Sequence, residues 1–445
     1  MAKKKQIELT IEEKLQNALV SKEEQPYKIP NNWCWTRLEN IAEWGSGGTP
    51  SRKRKEYYNG NIPWIKTGEL NNGYIFNSEE KITELGLKNS SAKLYPINTV
   101  IIAMYGATIG KVGILSIEAT TNQACACAIV NKNILFKYVF HYLIYQKEAF
   151  INKSKGGAQP NLSQEIIKKH EIPLPPINEQ QRIVNRIESL FVKLDRAKEL
   201  IENTLAQFEQ NKMAILHKAF TGELTAKWRK ENNIDLSSWK KCELKEVFKV
   251  VKDKYNPQTE NQIVNYIGLE NIETSKGIIS KNNSSEVKSI KTKFKKDDVL
   301  YGKLRPYLNK HDVVNFDGIC STDILVFRFN DINTAKYINY YFNLPMFIQY
   351  AVENSSGINL PRVSEKTISK YKISLPTIEE QQEIVNILDK LLAKYNKIKN
   401  LEQQLEKIEL LKKAILAKAF RGELGTNNPD EESAENLLKE ILAEK

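Results

Sequence analysis

The sequence predicts an α+β fold written twice: two mixed α/β globular parts joined by two long helices that pair as an antiparallel coiled coil, with a pseudo-two-fold internal repeat. Three observations predict it. Residues 172 to 183 read IPLPPINEQQRI and residues 373 to 384 read ISLPTIEEQQEI, an offset of 201, while AILHKAFTGELT (214 to 225) returns as AILAKAFRGELG (414 to 425), an offset of 200. Between those landmarks apolar residues recur in steps of three and four, a heptad seam. Upstream of each copy, short apolar runs bounded by Gly, Asn and Pro read as strands.

Residues 1–29 form a helical extension ahead of the repeat. The first globular part, 30–172, contains the strand-like runs TVIIAMYG, KVGILSI and ACACAIV and a helix near 134–153. In ACACAIV, period-two alternation turns Cys125 and Cys127 to one face. The first spacer helix, 173–224, opens on Pro173, Pro175 and Pro176 with Asn178 and Gln181 as a capping pair, and stops at Gly222. Residues 225–237 make a solvated connector. The second globular part, 238–373, repeats the order more loosely, pairing Trp35 with Trp239, IPWIKTGEL with VNYIGLENI, and NTVIIAMYG with DDVLYGKLR; a helix is expected near 334–352. The second spacer helix, 374–424, starts after Pro376 with Thr377 and Glu380 as its cap and stops at Gly422, and the tail 425–445 resumes a short helix.

The first seam runs through Ile183, Ile187, Leu190, Leu194, Ala197, Ile201, Leu205 and Phe208, the second through Ile384, Leu388, Leu391, Tyr395, Ile398, Leu401, Leu405, Ile408, Leu411 and Ile415. One such seam fits a helix lying on its own domain. Two equivalent seams in one chain are most simply buried against each other, and antiparallel pairing suits repeated units separated by a globular part.

The chain has 445 residues, 41% hydrophobic, with 66 Lys and Arg against 54 Asp and Glu for a net charge of +12, which favours a polyanionic partner, nucleic acid first. No apolar run reaches membrane-span length and the start lacks a signal-peptide core. Five scattered cysteines fit a reducing, cytoplasmic compartment better than a disulfide framework. GATIGK (106 to 111) has too few residues between its glycines for a phosphate loop, and Val112 stands where Ser or Thr would hold magnesium. Neither HExxH nor GxSxG is present, and Glu286 to Lys288 is a chance match to a nuclease pattern.

Two loops carry the chemistry of DNA reading. GSGGTPSRKRKEYYNG offers Arg52, Lys53, Arg54 and Lys55 among small residues, with Lys66 and Thr67 after the next strand; LYGKLRPYLNKHD offers Lys303, Arg305, Tyr307 and Lys310. A basic run taken alone is more often a solvated face. Its recurrence in both halves shifts the reading towards function.

GGTPS with IPWIKTGEL, SSAKLYPINTVIIAMYGATIGKVGIL, NQACA and GGAQPNL resembles a target recognition domain of type I restriction-modification specificity subunits. LPPINEQQRIV with AFTGEL, and LPTIEEQQEIV with AFRGEL, resemble that family's two conserved helical spacer regions. The resemblance spans about Pro30 to Leu424, and the second domain departs from the commonest wording. It makes 30–172 and 238–373 target recognition domains and adds Thr49, Ser51, Tyr105 and Lys111 to the DNA-binding candidates. It makes Ile187, Leu190, Leu194, Ile201, Leu388, Leu391, Ile398 and Leu405 coiled-coil residues. It implies a non-catalytic subunit that reads a bipartite, asymmetric target in double-stranded DNA. Two methylation subunits would dock on the paired helices, restriction and translocation subunits would join them, and S-adenosylmethionine, ATP and Mg would be held by those partners. A structural coiled-coil adaptor and a component of a combined restriction-modification enzyme are the alternatives. The first would not need two differently worded basic domains, and the second would need a catalytic domain ahead of residue 30.

Overall fold

The computed structural model describes residues 9–154, 161–260, 262–274, 276–395 and 399–445. The chain divides into two compact units, Met1–Glu199 with Gln404–Lys445, and Leu200–Gln403. The division falls inside both long helical stretches. Each unit therefore combines one globular part with the leading half of one helix and the trailing half of the other, rather than with the whole helix that follows it.

In the first unit a five-stranded mixed sheet has the order Ala42–Ser46, Cys125–Val130, Val100–Ala103, Val112–Leu115, Gly73–Ile75. The alternation in ACACAIV works as the sequence predicts. Cys125 and Cys127 share an apolar cluster with Ile101, Ala103 and Leu115, while Ala126 and Ala128 pack with Val100, Ile102, Tyr138 and Leu143. A smaller sheet, Glu80–Ile82, Tyr58–Ile65 and Thr120–Thr121, carries Trp64. The helix expected near 134–153 is two, Phe136–Tyr145 and Lys147–Lys153, separated at Gln146.

In the second unit the sheet Lys249–Val250, Ile324–Arg328, Val299–Gly302, His311–Val313 repeats the order of the first four strands above. A second sheet runs Lys254–Tyr255, Lys291–Phe294, Gly318–Cys320, Asn265–Ile267, Asn282–Asn283, and helices Ile332–Tyr341 and Pro345–Glu353 cover the core. Even the turns match: Asn98 and Asp297, both at left-handed φ, donate to Leu115 and Val314 carbonyls at 2.8 Å.

Helix Ile177–Thr221 is continuous, and helices Ile378–Tyr395 and Lys399–Phe420 form the second stretch. The Pro176 carbonyl accepts from the Glu179 and Gln180 N–H groups at 3.0 Å. The first cap thus sits at Pro176, and Asn178 lies inside the helix. The second is as read, with Thr377 Oγ1 accepting from Glu380 N at 3.4 Å. Gly222 and Gly422 end the helices at φ +83° and +74°, a conformation open to glycine without strain.

The pairing is antiparallel in each unit taken alone. In the first, Asp195 meets Lys412 at 2.5 Å and Lys198 meets Glu409 at 3.1 Å, so an earlier residue pairs with a later one. Ile187 is buried and Leu190, Leu194 and Leu405 are half-buried. In the second, Leu216 and Ala219 share a core with Ile384, Val385 and Leu388, and Ile201 and Leu391 are half-buried. Ile398 lies outside the described residues. The expected seam departs at Leu411, which is half exposed; Lys412, four residues after Ile408, takes the inward position over the Phe191 ring at 5.3 Å.

Three further expectations change. The counterpart of Trp239 is Trp33, not Trp35. Strand Cys34–Arg37 pairs Cys34 with Leu174, strand Lys240–Glu243 pairs Lys240 with Leu375, and in each case the indole stands one residue earlier. The connector is no solvated strap: it holds helix Ala226–Glu231, and Arg229 is buried in the second unit. The tail helix Ala434–Ala443 buries Leu438 and Ile441 in the core that also holds Leu15 and Ala18 of helix Ile11–Ala18. Among the described residues no helix is long and apolar enough to cross a membrane.

Candidate nucleic-acid interface

In the first unit the GSGGTPS loop is stitched onto strand Tyr58–Ile65. The Trp64 indole donates to the Gly48 carbonyl at 2.9 Å, and the Tyr58 hydroxyl donates to the Pro50 carbonyl at 2.5 Å. Gly47 lies so close to the turn at Thr121 and Asn122 that a Cβ would stand 2.2 Å from the Thr121 carbonyl oxygen. That approach brings the exposed Thr49 to Gln123, whose side-chain oxygen accepts from the Thr49 hydroxyl.

The basic residues of this loop separate into two groups. Arg52 lies over the Tyr58 ring at 4.4 Å and the Trp64 ring at 4.9 Å and donates to Glu80 at 2.5 Å. Lys66 donates to Glu79 at 2.9 Å and to Glu80 at 3.1 Å. The Arg52 hydrogen bond, ahead of Lys66, holds the Glu80 carboxyl below its ordinary range. Lys53, Arg54 and Lys55 are exposed, with Arg54 only loosely paired to Glu56 at 3.4 Å. Ser51 is exposed, and Thr67 opens a short 3-10 turn that Glu69 caps by accepting from Lys66 N at 2.8 Å. Tyr105, exposed, bridges to Asn161, and the half-buried Lys111 enters the next strand from the 3-10 turn Gly106–Thr108. GATIGK is therefore a strand-to-strand turn, not a phosphate loop opening a helix.

In the second unit LYGKLRPYLNKHD is laced to the loop at 354–363. Arg305 sits at φ +53°, left-handed and rare for a side-chain-bearing residue, held by its N–H donating to the Pro361 carbonyl at 2.7 Å. Its guanidinium and the Tyr307 ring are exposed. Lys303 lies 3.9 Å from Asp323, which also meets Arg362 at 3.5 Å. Lys310 turns inward and donates to the Leu269 carbonyl at 2.7 Å, fixing the turn Leu269–Asn271.

That turn is the counterpart of the one at Thr67–Glu69: Asn271 accepts from Gly268 N at 2.8 Å as Glu69 accepts from Lys66 N. Beside it Tyr266, Glu270, Lys281, Asn282, Asn283, Lys288 and Lys291 line a cleft of about 720 Å³. Amides, a carboxylate and ammonium groups are the donors and acceptors that match base edges and phosphates. Sequence reading missed this cleft, and it missed Glu79, Glu80 and Gln123 in the first unit. Asn282 and Asn283 stand in a polar stretch, and nothing local in the sequence marks them.

Among the described residues no three His, Cys, Asp or Glu side chains converge as metal ligands.

Comparison with known proteins gives a consistent picture. The family model described as type I restriction modification DNA specificity domain matches twice, at residues 30–209 and 237–410. The type I restriction enzyme EcoDI specificity subunit of Escherichia coli is 28% identical over 70% of this chain and 78% of its own length. The MjaIX specificity subunit of Methanocaldococcus jannaschii is 26% identical over 89% of this chain and 94% of its own. A chain from a solved structure described as the structural basis underlying complex assembly and conformational transition of the type I R-M system aligns with TM-score 0.66. It is 20% identical and is covered over its whole length by 90% of this chain.

Proposed function

This chain belongs to the type I restriction modification DNA specificity family, and from that premise we propose that it is the DNA-reading subunit of a type I restriction-modification complex. It takes one half of a bipartite, asymmetric double-stranded target with each unit. The observation that carries this reading is one frame built twice and furnished differently. The turn at Thr67–Glu69 and the turn at Leu269–Asn271 have the same capping geometry. Around the first stand Arg52, Lys66, Glu80 and Gln123, and around the second Tyr266, Glu270, Asn282 and Asn283. Different side chains on equivalent scaffolds read different base sequences.

The basic residues Lys53, Arg54 and Lys55 give phosphate contacts that position the duplex without reading it. The paired helices set the gap between half-sites and dock two methylation subunits. In the first unit Val192, Leu410 and Leu411 offer exposed apolar side chains for that contact. Bond-making falls to the partners: the methylation subunits hold S-adenosylmethionine, and restriction subunits hold ATP and Mg. Domains 30–172 and 238–373 are the readers, and 173–224 and 374–424 the spacers.

Sequencing duplexes retained from a randomised pool, with and without methylation subunits, tests the reading. A specificity subunit returns a two-part motif with a constant gap in the complex. A coiled-coil adaptor returns none in either condition.

A further inference from the structure

The geometry points to a base-reading role for Glu80: with Arg52 it forms one recognition unit matched to the major-groove edge of a G·C pair in the half-site of the first unit. The inference rests on the DNA-reading function proposed above.

The charge balance of the cluster is the first observation. Arg52 and Lys66 bring two positive charges, and Glu79 and Glu80 bring two negative ones within 2.5 to 3.1 Å of them. A phosphate clamp needs uncompensated cations, and a carboxylate against the guanidinium repels the phosphate it would hold. The cluster is thus a poor backbone contact. A base edge, in contrast, is read by donors and acceptors in the right order, arginine on guanine and a carboxylate on cytosine among them.

The second observation is how firmly the pair is held. An exposed ion pair contributes little to stability, so the fold gains little from building one carefully. Here the guanidinium rests on two rings, Tyr58 and Trp64. Both rings are tied to the loop that carries Arg52, through Pro50 and Gly48. Lys66 steadies Glu80 from the other side. One Arg52 nitrogen serves Glu80, and the remaining N–H groups belong to a side chain that is 53% exposed. Each Glu80 oxygen holds one hydrogen bond and keeps a further lone pair.

The third step is the pattern this presents. A G·C pair displays N7 and O6 of guanine and then the N4 amino group of cytosine: acceptor, acceptor, donor. An A·T pair displays acceptor, donor, acceptor. An arginine fork beside a carboxylate supplies two donors and then an acceptor, which complements the first and not the second.

The test uses the full chain assembled with its methylation subunits and the same randomised duplex pool. The wild-type complex should return a motif with G·C at one position of the first half-site. Glu80→Ala should weaken the preference there by roughly 10-fold to 100-fold, the usual size of one base-specific contact, and leave the second half-site untouched. Glu80→Gln keeps the side-chain size and one acceptor but loses the other acceptor and the charge that holds Arg52 and Lys66, so it should relax the same position less than Glu80→Ala. Arg52→Gln should relax that position as well. The inference is overturned if the relaxed position is A·T in the wild type, or if all three variants lose the first half-site as a whole. It is also overturned if Glu80→Ala tightens every duplex alike and steepens the salt dependence, the behaviour of a phosphate clamp. A wild-type complex with no motif would instead remove the DNA-reading premise, a distinct result.

Discussion

Glu380 accepts a hydrogen bond from the Trp239 indole at 2.8 Å, and 201 positions earlier Glu179 accepts one from Trp33 at 2.9 Å. Each carboxylate also takes a threonine hydroxyl from the segment beyond a helix end: Thr225 at 2.7 Å for Glu380, Thr426 at 3.4 Å for Glu179. The neighbouring glutamines are equally committed. Gln180 and Gln381 donate to the Pro175 and Pro376 carbonyls at 3.0 and 2.8 Å. Gln180 accepts from Leu135 N and Gln381 from the Thr334 hydroxyl, both at the start of a covering helix.

Glu380 also carries a buried charge partner, Arg229 at 2.5 Å. Glu380→Ala leaves that guanidinium unpaired among the buried groups of the second unit and should cost about 3–5 kcal/mol. Glu380→Gln, which keeps an acceptor for Trp239 and Thr225, should cost less. Urea denaturation followed by tryptophan fluorescence checks both, and a Glu380→Gln variant as stable as the wild type would contradict the charge argument.

Phe420 packs its ring against Tyr138, Tyr142 and Tyr145 at centroid distances of 5.2, 5.0 and 5.5 Å. Truncation to alanine removes a large buried ring and should destabilise the first unit by about 3–5 kcal/mol. Hydrogen exchange should show the loss at helix Phe136–Tyr145. Unchanged protection there would mean that the helix end is not anchored by this residue.

Two buried histidines make the fold sensitive to acid. Burial, then the nearby Lys153, pushes His170 down from 6.5 to about 3, and burial pushes His311 down to about 4. Between those values and 6.5 the unfolded chain binds protons that the folded chain does not. Their contribution is complete above pH 6.5 and declines on acidification by up to about 1.4 kcal/mol per pH unit for each. Glu188, held down to about 2 by the His141 ring 3.9 Å away and then by Lys137 at 2.9 Å, adds its loss only below 4.5. Melting temperatures should therefore fall between pH 7 and 5, and His311→Gln should flatten part of that slope. A flat wild-type profile would contradict the assignment.

Arg305 is exposed and fixed by its own backbone. Its replacement by alanine should weaken DNA binding in one of two ways. If it reads a base, one position relaxes and about 1–3 kcal/mol is lost; if it meets a phosphate, all sequences weaken and the salt slope falls by about one. Binding measured across salt on matched and altered duplexes distinguishes them, and no change in either would remove Arg305 from the interface.

The frame was legible because it is written twice. Glu179, Gln180, Gly222 and their copies must form the same buried joints in each unit, so the sequence repeats where the structure does. The pairing of Trp35 with Trp239 fails because the strand register, not the spacing of tryptophans, decides which indole faces the carboxylate, and that indole is Trp33. The site was half legible. Arg52 and Lys66 stood out as cations, yet what they do depends on Glu80, which reaches them only because strand Glu80–Ile82 pairs with strand Tyr58–Ile65. Lys310 looked like its neighbours in a basic loop, and only the structure turns it onto the Leu269 carbonyl.

Lys412, flanked by Asp195 and the face of Phe191, does something for the helices that a leucine there would not. Were one rod to slip along the other by a turn, its ammonium would leave its carboxylate and lie against hydrocarbon. A single polar position in such a seam selects one alignment at some loss of stability. The rods in this unit are thereby keyed like a notched rule, and any spacing they impose on DNA is held to one setting.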